Sequence, residues 1–119
     1  MKLDPWSNAQ ILAQRLAQPE AKLVLVIGAL AWCQKCREYL PIFEDEALHA
    51  SPNQSYVWLD VEEHAAFLGL YIPHDLPLRL EYQAGQLSVS RVAGIDINST
   101  DNNIPAEQIY KRLTADDWA

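Results

Sequence analysis

An apolar run that ends on a pair of cysteines constrains this chain more than any other feature. Lys22 is followed by Leu23-Val24-Leu25-Val26-Ile27-Gly28-Ala29-Leu30, and Cys33 and Cys36 then bracket Gln34-Lys35. A continuous valine-rich aliphatic run interrupted by Gly28 predicts a strand buried on both faces, as in the middle of an α/β sheet, rather than a short buried helix. Beyond Cys33 the period changes. Tyr39, Leu40, Phe43, Ala47 and Leu48 recur at three and four with charges between them, which predicts a helix to His49, bent near Arg37–Pro41 by the internal Pro41. A Cys-x-x-Cys at a strand-to-helix junction is the sequence form of a thiol–disulfide redox centre.

The flanking segments read as a scaffold for that junction. Asp4-Pro5 is expected to open a first helix carrying Trp6, Ile11, Leu12 and Leu16, which Pro19 closes. Ser51 to Gln54 is a loop, and Ser55 to Val61 a second buried strand ending at Asp60. Glu62 to Leu70 is expected to be a short helix and Pro73-His74-Asp75 a loop. A third strand begins at Leu76-Pro77, with clean alternation over Leu78 to Tyr82. Ala84-Gly85 marks a hairpin turn into a fourth strand, Gln86 to Val92. Gly94 to Asn103 reads as an exposed polar loop, and Ile104-Pro105 to Leu113 as a last helix with Ile109 and Leu113 on one face. The order α-β-α-β-α-β-β-α predicts an α/β fold, with a mixed sheet and helices on both faces.

Composition narrows the partners. With 119 residues, half of them hydrophobic, the chain is expected to form a single domain, residues 1–119, with a sizeable core. A net charge of −7 argues against a nucleic-acid partner and against adhesion to an anionic membrane. The longest apolar run falls far short of the ~20 residues that span a bilayer. Met1 to Pro5 lacks the apolar core of a secretory signal, so a cytoplasmic location is expected. Two cysteines so close together close too small a loop to staple the fold, and a cytosolic pair is expected to cycle as a dithiol.

Read together, these residues resemble the thioredoxin family over nearly the whole chain. The family pattern is an apolar strand, Trp-Cys-x-x-Cys, and a proline five residues after the second cysteine; here these are Leu23–Ile27, Trp32-Cys33-Gln34-Lys35-Cys36 and Pro41. Leu76-Pro77 and the following stretch to Gly85 match the family's cis-proline, its next strand and its turn glycine, and Gly94 matches the glycine after the last strand. The resemblance implies a thioredoxin-like fold with a mixed four- to five-stranded central sheet. It implies a thiol–disulfide oxidoreductase that reduces protein disulfides without a cofactor, and serves cell redox homeostasis. Electrons would come from a donor resembling thioredoxin reductase or from glutathione. Gln34-Lys35 stands between the cysteines in place of the family's common Gly-Pro, and two further positions depart from the pattern. Ile27 stands where the family carries a buried aspartate and Trp58 where it often carries a lysine, groups implicated in moving the proton of the second cysteine.

The chemistry assigns Cys33 as nucleophile and Cys36 as the resolving thiol. A helix N-terminus favours a thiolate at Cys33 by ~1 kcal/mol, and Lys35 in the same turn is expected to tune it. Pro77, with the backbone of Leu76, is expected to face the cysteines and dock an extended substrate, with Trp32, Leu76 and either Trp6 or Tyr71 as an apolar rim. Plainer readings stand beside these. The cysteines could be structural thiols or half of a zinc site, although His49, His64 and His74 are scattered. Lys35 and His74 could simply be solvated, Trp58 is core, and Asp60, Glu62 and Glu63 are strand-end and helix-start charges or hold a stand-in acid. The polar loop around Asp96–Asn103 lacks regular calcium-ligand spacing. The alternative function is a binding or chaperone-like module that keeps the fold for docking and turns over little.

Overall fold

The structure, a computed structural model, describes residues 1–69, 71–93, 97–98 and 104–115. Its elements run α1 Ala9–Leu16, β1 Lys22–Gly28, α2 Gln34–Leu48, β2 Gln54–Asp60, α3 Ala65–Leu68, β3 Leu78–Gln83, β4 Gln86–Val92, β5 Ile97–Asn98 and α4 Ala106–Thr114. The sheet order is β2-β1-β3-β4-β5. β1 pairs in parallel with β2, from Lys22↔Gln54 to Gly28↔Asp60, and antiparallel with β3, so the sheet is mixed. The outer edge of β2 is covered by the N-terminal segment, where the Leu3 amide donates to the Tyr56 carbonyl and the Tyr56 amide to that of Met1, both at 2.8 Å. Pairing that edge removes a template for intermolecular strand addition.

Side-chain alternation in β1 sorts the core into two layers. Leu23, Leu25 and Ile27 pack with Leu12 and Leu16 of α1, Phe67 of α3, and Ile109 and Leu113 of α4. Val24 and Val26 face the other way, with Tyr56 and Trp58 of β2, onto Cys36, Tyr39, Phe43 and Ala47 of α2. The spacing read from the sequence therefore brings Leu12 and Leu16 of α1 and Tyr39, Phe43 and Ala47 of α2 to the core, whereas Ile11 and Leu48, expected on the same faces, stand exposed because they fall at the margins of those stripes. Phe43 is fully buried, and its ring meets those of Tyr56 and Trp58 edge-on at 5.5 Å each. Truncating such a residue to alanine costs about 3–5 kcal/mol.

Several boundaries differ from the sequence reading, for local reasons. α1 does not begin at Asp4-Pro5, because the Asp4 carboxylate accepts the amides of Trp6 at 2.7 Å and Ser7 at 3.0 Å, which makes a separate turn. α3 is shorter than Glu62–Leu70: the side chain of Asp60 binds the amides of Glu62 and Glu63, and Gly69 ends the helix at φ +64°. β1 stops at Gly28, short of Leu30, and β3 begins at Leu78, after Leu76-Pro77. Ile97 and Asn98 pair with β4 instead of lying in a loop, whereas Gly94, Asp96 and residues 99–103 fall outside the described residues. The hairpin turn is as read. Ala84 at φ 52° and Gly85 at φ 81° form the two-residue turn whose twist suits antiparallel strands, with Gln83↔Gln86 as the closing pair.

Candidate active site at the start of the second helix

The strand gives way to the helix where Trp58 crowds it. A Cβ on Gly28 would lie 2.5 Å from Trp58 Cζ2, so only glycine lets the indole cross the end of β1. The chain then turns: the Ala29 carbonyl accepts the Cys33 amide at 2.8 Å and that of Trp32 at 3.4 Å. Cys33 becomes the N-cap of α2, and its Sγ accepts the Cys36 amide at 3.2 Å, where a Ser or Asp oxygen commonly sits. The Cys36 amide and the helix dipole thus both act on that sulfur.

The two thiols have different surroundings. Cys33 is half-buried and opens on a groove, while Cys36 is fully buried beneath α2. Burial pushes the Cys36 thiol up to about 12; its hydrogen bond with Cys33 and the charges of Cys33 and Asp60 act the same way, against the Ala29 backbone. Cys36 is therefore a neutral thiol at neutral pH and must give up its proton to act as a nucleophile.

The groove, about 620 Å³, runs between the first turn of α2 and the segment before β3. Trp32 and Lys35 stand exposed on one wall, and His74 and the half-buried Leu76 on the other. The Leu76-Pro77 peptide is cis, and Pro77 is buried behind Leu76. Of the sequence-derived site residues, Trp32, Cys33, Lys35 and Leu76 therefore meet in one place; Cys36 is buried with its amide on Cys33 Sγ, and Pro77 is buried next in the chain to Leu76. Trp6 and Tyr71 do not form the rim. They pack on the α1/α3/α4 layer, Trp6 against Phe67 at 4.7 Å, and Pro73 takes that place in the groove.

The departures from the family pattern also resolve differently. Ile27 is not behind the cysteines: its side chain lies in the layer with α1, α3 and α4, while Cys36 and Trp58 lie under α2. Trp58 is core, as read, with an indole N–H that has no hydrogen-bond partner among the described residues. The acid whose charge reaches Cys36 is Asp60, 7% exposed. Burial alone would raise its pKa, but the amides of Leu30, Glu62 and Glu63 donate to its carboxylate and hold it below the usual carboxylate range. Asp60 is one of the three acids the sequence offers as a stand-in, and the parallel register that sets it beside Gly28 singles it out. Among the described residues, no three His, Cys, Asp or Glu side chains gather as a metal site, and no helix is long and apolar enough to cross a membrane.

No protein-family model and no curated protein sequence matches the chain. Solved structures do. A thioredoxin from Plasmodium falciparum superposes with a TM-score of 0.52 at 20% identity, over 69% of this chain and 64% of that one, less than two thirds of its length. A Schistosoma mansoni thioredoxin gives 0.56 at 18% identity over 77% and 81%, and an Arabidopsis thaliana thioredoxin in its oxidised state 0.53 at 16% over 76% and 84%. The chain has a thioredoxin fold.

Proposed function

We propose that the protein is a thiol–disulfide oxidoreductase that reduces disulfides of protein substrates through Cys33 and Cys36. The observation that carries this reading is the N-cap position of Cys33, with its sulfur accepting the Cys36 amide at the mouth of the groove. The Cys33 thiolate attacks one sulfur of a partner disulfide, forming a mixed disulfide and releasing the partner's first thiolate, which takes a proton. Cys36 then loses its proton and attacks Cys33 Sγ. A Cys33–Cys36 disulfide forms and the second partner thiol leaves, so two electrons pass to the partner. A dithiol reductase or glutathione regenerates the pair, and no cofactor of its own is required. Lys35 favours the thiolate, and Trp32, Leu76 and Pro77 receive an extended segment of substrate. The setting that suits this cycle is the cytoplasm, where thiols are kept reduced.

Insulin reduction by the full chain and by Cys33→Ser tests the proposal. Turnover that depends on Cys33 supports it. Absence of Cys33-dependent turnover in a folded protein leaves the docking module as the function.

A further inference from the structure

Between Gly28 and Gln34 the chain belongs to no helix or strand, yet it carries the nucleophile of the reading above. Leu30 within it is held at both ends. The Leu30 amide donates to Asp60 Oδ2 at 2.9 Å, and the Leu30 carbonyl accepts from Arg37 Nη1 at 2.9 Å. We propose that Asp60 and Arg37 are positioning residues that grip Leu30 from opposite sides and thereby keep Cys33 on the N-terminal axis of α2.

The grip is specific to this loop. Asp60 needs only one oxygen for its own turn, since Oδ1 accepts both the Glu62 and Glu63 amides at 3.0 and 3.3 Å. Its second oxygen reaches across to the connection after β1, which the parallel register places beside it through Gly28↔Asp60. The acid is itself anchored: its amide donates to His64 Nδ1 at 2.9 Å, and the His64 amide returns to its carbonyl at 2.9 Å. Arg37 is exposed and lies one residue past Cys36, where nothing forces its side chain to fold back; it spans to Leu30 all the same. Its own amide binds the Cys33 carbonyl at 3.2 Å. Leu30, Cys33 and the first turn of α2 are thus tied to a charge of each sign. The bonds from Asp60 and Arg37 to Leu30 are charge-assisted and directional, the kind that fixes geometry as well as binding.

The charges that face the loop make the proposal separable from simple electrostatics. Asp60 is an anion near the thiols, flanked by His64, while Lys35 and Glu38 line the groove on the α2 side. If Asp60 acted only through its charge, its removal would favour a thiolate and speed alkylation of Cys33. If it acts by gripping Leu30, its removal lets Cys33 drift off the helix axis, and alkylation slows. The two roles predict opposite signs.

The experiment uses the reduced full chain, with iodoacetamide as probe and labelling of Cys33 resolved by mass. In Asp60→Ala, alkylation at pH 7 is expected to slow about fivefold, the size of a lost helix-terminus interaction, with the midpoint of its pH profile moved up. Simple loss of stability would leave that midpoint unmoved in the folded fraction. In Arg37→Ala, at an exposed position, hydrogen exchange of the Leu30 amide is expected to accelerate roughly tenfold as local opening becomes easier. Alkylation in folded Asp60→Ala that is unchanged or faster overturns the proposal. Should Asp60→Ala fail to fold, Leu30 exchange in Arg37→Ala within about twofold of wild type overturns it, because a grip predicts larger local opening. Neither readout needs a disulfide substrate. A wild type that fails to reduce insulin but shows this pattern refutes the functional reading and leaves the grip standing; one that reduces insulin without the pattern refutes only the grip.

Discussion

The two faces of the sheet are made by the same alternating strands and differ in what they can hold. Under α1, α3 and α4, β1 contributes Leu23, Leu25 and Ile27, β2 Val57 and Leu59, and β3 Leu78 and Leu80, in an aliphatic layer closed by helices. Under α2, the same strands present Val24, Val26, Tyr56, Trp58 and, on β3, Arg79. The Arg79 side chain is 6% exposed, yet it meets Glu46 of α2 at 2.7 Å, Glu81 at 2.9 Å and the Tyr39 hydroxyl at 3.0 Å. A face covered by one helix lets carboxylates such as Glu46 and Glu81 stay partly in water while they pair inward, which lowers the desolvation penalty of a buried ion. The same lightly covered face holds Cys36. Three helices make a layer that fixes the fold; one helix leaves a layer where polar chemistry is tolerated.

Crossing the two layers should do the most damage. Ile27→Asp puts a carboxylate into the closed aliphatic layer and is expected to cost about 4 kcal/mol or more in urea unfolding. It should leave the rate of mixed-disulfide resolution unimproved, because position 27 does not face Cys36. Faster resolution would break the assignment of layers. Arg79→Ala strands two carboxylates in the α2 layer, at about 2–3 kcal/mol, below the range for fully buried pairs because Glu46 is 40% exposed. Loss as large as that of Ile27→Asp would show the α2 face to be as closed as its counterpart.

The third change is read in how stability depends on pH. The folded state holds Cys36 as a thiol to about 12 against an ordinary 9.0, so that stabilisation is complete below pH 9.0 and is lost as pH rises toward 12. Cys36→Ala should therefore unfold less steeply than reduced wild type over that window, with Tyr56 and Tyr82 contributing equally to both proteins. Overlapping pH–stability curves would place Cys36 in a wetter setting than its burial implies. The smallest effect belongs to neither face. Ala84→Gly relieves a positive φ in the hairpin turn and should raise stability by about 0.5–1 kcal/mol without altering Cys33 alkylation.

Much of the site could be read in one dimension because it is local. Trp32, Cys33, Lys35 and Cys36 lie within five consecutive residues, and Leu76-Pro77 carries its own signature. Ile27 was harder. Counting back from Cys33 finds its position but not its side, since one residue of parity in a strand separates the aliphatic layer from the cysteine layer. Asp60 was harder still, because its spare oxygen matters only once the parallel register brings it to Leu30.

By itself the sequence determined the elements and their order apart from β5: an eight-residue apolar run makes a central strand, three-and-four spacing makes α2, and Ala84-Gly85 makes the turn. These follow from short-range sterics and from the period of apolar side chains. Only the tertiary structure decided that α2, among the described residues, stands alone on its face, that Arg79 is buried there, and that Asp60 and Arg37 meet on Leu30. Each of those depends on strand register and on which face a crossover lands, and neither is written in the residues that end up in contact.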